Sequence, residues 1–132
     1  MVTGRTRERG EEVVARIESR GGQADFIGVD FARGPQEVAD LAAGAIDAAG
    51  GTLDILVNNV ATLVVPAATA DVTADEITAA LAVSVTTPFL LTGLIAPTMV
   101  ERGHGAIVNI GSVSGIFGAA GSALYGLSLI HI

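Results

Sequence analysis

Apolar and polar positions recur along this chain with two different periods, and the switches between them mark its elements. Over Arg7 to Arg20, Val13, Val14 and Ile17 fall on one face among Glu8, Glu11, Glu12, Arg16 and Glu18. That spacing predicts an amphipathic helix, closed by Gly21-Gly22 because glycine readily takes the left-handed conformation after a last turn. Ala24 to Val29 is short, apolar and branched enough for a buried strand ending at Asp30. Gly34-Pro35 opens a second helix, with proline at the first helical position, where the N–H it lacks would have no partner. Val38, Leu41, Ala42, Ala45, Ile46 and Ala49 give that helix a buried stripe, and Gly50-Gly51 ends it.

Leu53 to Val57 is apolar apart from Asp54, as befits a strand covered on both faces. After a loop containing Pro66, Thr73-Ala74-Asp75-Glu76 has capping-box spacing and starts a long helix toward Val100, which Pro88 and Pro97 are expected to kink or divide. Ala106 to Ile110 is a fourth apolar run, and a further helix can begin at Ser122. Helices alternating with apolar strands at this spacing predict an α/β fold with a parallel sheet and crossover helices. No internal repeat or low-complexity tract interrupts it. Ile77 to Val100 carries no charge and is long enough to span a bilayer, but its Thr, Ser, Pro and Gly content favours a helix buried against a sheet and a partner subunit.

The 132 residues suit one domain, and 50% hydrophobic against 16% charged excludes a disordered tail. Aromatic residues make up only 4%, beside 17 Gly, so the core must come from small and branched side chains. A net charge of −7 argues against nucleic-acid binding, which needs a basic face. Without cysteine there is no disulfide framework and no thiolate metal site, and nothing near Met1 reads as a signal peptide, so a cytoplasmic protein is expected. All seven basic residues are arginine, and six lie at or before Arg33. His104, between Gly103 and Gly105, reads as a solvated turn residue rather than a metal ligand.

Parallel sheets bind ligands beyond the carboxyl ends of their strands, which directs attention to Asp30, Asn58-Asn59 and Gly111-Ser112, with Tyr125 thirteen positions after Ser112. Val2-Thr3-Gly4-Arg5, Asp30, Leu53-Asp54-Ile55-Leu56-Val57-Asn58-Asn59 and Ile107-Val108-Asn109-Ile110-Gly111-Ser112 together resemble, in order and spacing, the short-chain dehydrogenase/reductase family. The resemblance runs from Val2 to Gly126 and implies a partial, doubly wound Rossmann fold with a parallel sheet. It implies hydride transfer between a nicotinamide cofactor and a small carbonyl or alcohol, in a homo-oligomer built partly on the long helix, without nucleic-acid or membrane partners. Tyr125 is then the general acid or base, Ser112 hydrogen-bonds the same substrate oxygen, and Ser84 stands where the family usually has an asparagine anchoring a water chain. Asp30 and Phe31 fall on the adenine side of the cofactor and Asn58 and Asn59 on the adenosine side of the cleft. Arg5, followed by Arg7 and Arg9, occupies the position where an acid would accept the NAD ribose hydroxyl and where arginine suits the 2′-phosphate, so NADP is expected over NAD.

The pattern breaks in several places. The family's first strand and glycine-rich pyrophosphate turn are absent before Val2, and the lysine expected four residues after Tyr125 is Leu129, which carries no charge to favour a phenolate. Val60-Ala61 replaces Ala-Gly after the asparagine pair. Leu127-Ser128-Leu129-Ile130-His131-Ile132 abandons the Ala and Gly vocabulary and can be read back as CTG TCT CTT ATA CAC ATC, which resembles a transposon-end sequencing adapter. These features lead to the expectation of a chain cut at both ends, with residues 1–126 a partial nucleotide-binding domain and 127–132 a non-native tail. The parent is expected to be the enzyme and this chain to lack turnover. The missing strand belongs in mid-sheet, so the isolated chain is expected to be poorly soluble or partly molten. A reading from another class is a truncated, non-catalytic subunit that docks through Ile77 to Val100.

Overall fold

The computed structural model describes residues 1–62 and 65–130. Strand β1 (Val2–Gly4) leads into helix α1 (Arg7–Glu18), strand β2 (Phe26–Gly28), helix α2 (Pro35–Ala48) and strand β3 (Ile55–Asn58). Helix α3 (Ala74–Leu81), a π-helical turn over Ala82–Thr86 and helix α4 (Thr87–Arg102) form one helical run, followed by strand β4 (Ala106–Asn109) and helix α5 (Ala123–Leu129). All the elements expected from the hydrophobic pattern are present, with shorter strands. Strand β2 covers only the middle of Ala24 to Val29, although the Val2 N–H donates to the Asp25 carbonyl and the Val29 N–H to the Gly4 carbonyl on either side of it.

Strand β1 pairs in parallel with β2, Val2 opposite Phe26 and Gly4 opposite Gly28. Strand β3 pairs in parallel with β4, from Ile55 opposite Ala106 to Asn58 opposite Asn109. The two ribbons share no ladder among the described residues, in keeping with the gap expected in mid-sheet.

Side-chain packing joins the ribbons instead. The two-residue period of a strand sends Ile27 and Val29 to one face and Phe26 to the other. Ile27 and Val29 meet Val38, Leu41 and Ala42 of α2 and Leu91, Ile95 and Met99 of α4, and Leu56 of β3 and Ile107 of β4 pack on the same cluster. Full burial of such side chains stabilises the fold by about 1.5–3 kcal/mol each relative to exposure. Phe26 turns toward α1, where Gly10 is buried, so helices cover both faces of the β1–β2 ribbon in the doubly wound manner. The second face of the β3–β4 ribbon is bare, with Ile55 61% and Val57 55% exposed.

The long helix is divided at Pro88 for a backbone reason. Proline has no N–H for the carbonyl four residues earlier, that of Ser84. The ladder shifts register here, and the Thr87 N–H bonds back five residues to Ala82, whose carbonyl also accepts from Thr87 Oγ1 at 3.0 Å. Pro97 lies within α4 without ending it. Residues 74–102 are long and apolar enough to cross a membrane, and the inner side of this run, with Leu91, Ile95 and Met99, is core. Its outer side leaves Phe89 and Val100 exposed.

At the start of α3 the capping box is complete. Thr73 Oγ1 accepts the Glu76 N–H, while the Glu76 carboxylate accepts from the Thr73 N–H and hydroxyl, which holds that carboxyl below its ordinary value. The end of α4 is tied to the start of β3 by Arg102, which donates to Asp54 Oδ1 and to the Leu53 carbonyl, both at 2.8 Å. His104 is solvated as expected, and its Nε2 also lies 3.2 Å from Arg102 Nη1. Helix α5 continues through Gly126, with Ser128 and Leu129 buried, so residues 127–130 of the expected tail are helical or follow the helix directly. Residues 131–132 lie outside the described residues.

Two outcomes are expected. A Cβ at Gly10 would fall inside contact distance of Cγ, Cδ2 and Cε2 of Phe26. Gly10→Ala therefore costs about 1–2 kcal/mol of stability, read as a lowered urea midpoint, despite the roughly 1 kcal/mol that alanine adds to a helix; a raised midpoint would show that the ring yields freely. The hydrogen bond and charge of Arg102, with a smaller contribution from His104, hold the Asp54 carboxyl below its ordinary 3.8. A depressed folded value makes this group stabilising above 3.8, and the stabilisation is lost as pH falls through the lower folded value. Asp54→Asn should thus lower the thermal midpoint at neutral pH, with the gap to wild type closing under acid conditions; a gap that does not change with pH would rule this linkage out.

Candidate active site

The carboxyl ends of β1, β2 and β3 open on a cleft of about 410 Å³. Arg5 comes from the turn after β1, Asp30 and Phe31 from the turn after β2, and Asn59 to Thr62 from the loop after β3. Ala79 and Val83, one helical turn apart, close the opposite wall. The cleft therefore spans both ribbons and brings together Arg5, Asp30, Phe31 and Asn59, four of the residues expected on the cofactor.

Local sequence explains each placement. Asp30 ends β2 by capping the short turn Phe31–Arg33, its Oδ1 accepting the Ala32 N–H at 3.2 Å. Arg5 is exposed at the mouth and makes no ion pair among the described residues, whereas Arg7 is engaged by Glu11 at 3.0 Å and Arg33 faces Glu37 at 3.9 Å. Of the early arginines, Arg5 is the one both on the cleft and free for an anion.

Asn58 and Asn59 part company at the end of β3. Asn59 lines the cleft, while Asn58 is buried and its Nδ2 donates to Asn109 Oδ1 at 2.8 Å across the β3–β4 pair. Asn58 Oδ1 is buried without a hydrogen-bond partner among the described residues. The sequence pairing Asn58-Asn59 concealed this split, because adjacent residues on a strand point to opposite faces.

Ser112, Tyr125 and Ser84 lie outside the cleft lining. Ser112 follows β4 and caps the turn Val113–Gly115, its Oγ accepting the Ser114 N–H at 3.2 Å. Tyr125 lies in the first turn of α5, half-buried. The Ser112 turn and α5 touch through glycine: a Cβ on Gly126 would stand 2.6 Å from the Ser114 carbonyl oxygen, and one on Gly115 would stand 2.9 Å from that of Leu129. Ser84 is fully buried in the π-helical turn, and its Oγ accepts the Thr62 N–H at 3.3 Å. Sequence reasoning did not anticipate Thr3, Ala79 or Val83 on the cleft. Ala79 of α3 and Val83 of the π-helical turn stand four residues apart, which was the available signal for the last two.

Comparison with known proteins establishes the family and the fold. The short chain dehydrogenase family profile matches residues 1–128, and the chain belongs to that family. It is 35% identical over 122 residues to an uncharacterized oxidoreductase of Thermotoga maritima, covering 92% of this chain and 46% of that protein. It is 32% identical over 121 residues to a cyclopentanol dehydrogenase of Comamonas testosteroni, covering 89% and 46% respectively. Among solved structures, a metagenomic short-chain oxidoreductase in complex with NADP superposes with a TM-score of 0.88 at 31% identity, over 96% of this chain and 57% of that one. A 7α-hydroxysteroid dehydrogenase complexed with NADH and 7-oxo glycochenodeoxycholic acid superposes with a TM-score of 0.89 at 30% identity, over 98% and 49%. The Rossmann-type fold is thereby shown, and the chain spans about half the length of the curated relatives it matches.

If the Gly126 approach seats Tyr125 beside the Ser112 turn, Gly126→Ala must force the two apart. Backbone cannot yield as a side-chain tip can, so about 1–3 kcal/mol of stability should be lost. Amide exchange at Ser114 and Gly115 should quicken, and unchanged exchange there would separate Gly126 from the Ser112 turn.

Proposed function

We propose that the protein carrying this chain is an NADP-preferring oxidoreductase that interconverts a small carbonyl and its alcohol, and that this segment supplies the adenosine side of the cofactor site together with the tyrosine and serine of the reaction. The observation that carries the reading is Arg5, an exposed cation with no ion pair among the described residues, on a cleft that also presents Asp30 and Asn59. The residues present fit the adenosine end of a dinucleotide: the guanidinium matches a 2′-phosphate through two parallel N–H donors, and the Asp30 carboxylate can accept from the adenine amino group. Phe31 and Val83 offer apolar flanks. When bound, the nicotinamide ring supplies or accepts the hydride.

The chain's own residues then divide the remaining work. In reduction the Tyr125 hydroxyl donates its proton to the substrate oxygen as that oxygen gains charge, and in oxidation it takes the proton back. Ser112 Oγ accepts from the Ser114 N–H, which leaves its own O–H to donate to the same substrate oxygen. Asn58 ties the end of β3, whose following loop lines the cleft, to the end of β4 through Asn109. The exposed Phe89 and Val100 on α4 support a homo-oligomer, and equally support docking of a non-catalytic subunit onto a complete one. Co-expression distinguishes them, because a docking subunit leaves nucleotide use by its partner unchanged.

Arg5→Asp should lower the ratio of NADPH to NADH affinity by about tenfold or more, as expected for loss of a charge-assisted contact; an unaltered ratio would remove the NADP preference. In the complete reading frame that carries this chain, Tyr125→Phe should lower kcat by about a hundredfold or more, the range for a general acid. Undiminished NADPH oxidation across a carbonyl panel would discard the proposed chemistry.

A further inference from the structure

We infer that the outer face of α1 is a contact surface for a second copy of this chain, related to the first by a twofold axis. The inference is independent of the nucleotide reading. Glu8, Glu12, Arg16 and Arg20 recur at every fourth residue, the first three within α1 and Arg20 in the turn after its C-cap Ser19. That spacing sets them in one ridge along the helix, in steps of about 6 Å. All are exposed, and none makes an ion pair among the described residues. By contrast Arg7, Arg33 and Arg102 each have a carboxylate oxygen within 3.9 Å. The early cluster of arginines thus includes cations that neither the cleft nor an internal partner employs. The ridge also stands apart from the buried side of α1, where Gly10 meets Phe26.

The order of charge along the ridge identifies the partner. It runs acid, acid, base, base, so a half-turn about its midpoint, level with Val14, exchanges the signs. Glu8 then meets the partner's Arg20 and Glu12 meets the partner's Arg16, and the reciprocal contacts follow from the isologous symmetry. Parallel helices would instead set like charges together. Ridges of this spacing lie alongside one another when two helices cross at about 50°. The flanking residues agree, because the same half-turn sets Val13 against Ala15 and Arg9 against the neutral Ser19. A nucleic acid, an anionic membrane or an acidic peptide that engaged Arg16 and Arg20 would be repelled by Glu8 and Glu12, whereas a second copy satisfies both halves. Exposed ion pairs are individually weak, so the contact is a reversible one whose charges specify orientation more than strength.

The test is sedimentation of the full chain at about 0.15 M salt, where charges more than about 8 Å apart are largely screened. Wild type should show a concentration-dependent equilibrium between monomer and dimer. Glu8→Arg with Glu12→Arg leaves a wholly basic ridge, and Arg16→Glu with Arg20→Glu a wholly acidic one. Each pair should weaken the homodimer about tenfold or more, because like charges are forced together. The first pair also makes the chain less negative than −7, so control by overall repulsion predicts the opposite result, a tighter dimer. Mixing the two variants should restore association as a heterodimer, and a chain carrying all four exchanges should recover the homodimer. A wild type that stays monomeric at every concentration would overturn the inference. So would a dimer indifferent to both reversals, which places the contact elsewhere, as on Phe89 and Val100 of α4. Failure of both the mixture and the fully exchanged chain to associate would overturn it as well.

Discussion

The apolar seam between α2 and α4 is the constraint on which the rest of the molecule depends. The β1–β2 and β3–β4 ribbons share no hydrogen-bond ladder among the described residues, so backbone pairing cannot set their relative position. That task falls to Val38, Leu41 and Ala42 on one helix and Leu91, Ile95 and Met99 on the other, with Val29, Leu56 and Ile107 reaching in from the strands. Dispersion and hydrophobic burial lack direction, but dense packing of shaped side chains restores it. The cleft draws Arg5 and Asp30 from one ribbon and Asn59 from the other, so its geometry is only as definite as this seam.

Two of the side chains proposed to meet the ligands are occupied in local turns before any ligand is considered. Asp30 caps one short turn and Ser112 another, each through an amide two residues on. Such caps and the proposed ligand contacts are compatible, because a carboxylate or hydroxyl oxygen engaged on one side still offers a second oxygen or a proton on the other. The cap fixes the side chain's orientation and so lowers the entropy lost on binding. Asn58 works differently, since it is buried and spent on Asn109, tightening the two strand ends whose loops form the site.

The helical run from Ala74 to Arg102 serves both ends of the molecule. Its first part faces the cleft with Ala79 and Val83, and its second part is core. A regular helix would carry one face along its whole length, but the register change before Pro88 lets the two parts present different residues inward. At its far end Arg102 clasps the start of β3 through Asp54 and Leu53, so the run spans the β3 strand from the loop after it to the residues before it.

Much of the fold was legible in the residue pattern. The glycine pairs, Pro35 and the Thr73–Glu76 box set the helix limits by local chemistry that needs no tertiary partner, and the chain-order motifs around Asp30, Asn59 and Ser112 pointed to strand ends. The split between Asn58 and Asn59, the claim of Glu11 on Arg7 but, among the described residues, of no acid on Arg5, and the enclosure of Ser84 beside Thr62 were not legible. The sequence by itself determined which segments are helix or strand, because those choices depend on backbone propensity and periodicity within a few residues. Tertiary structure alone decided which polar side chains face the cleft and which are spent inside, because that depends on contacts between residues such as Thr62 and Ser84 that lie far apart along the chain and meet only when the seam has closed.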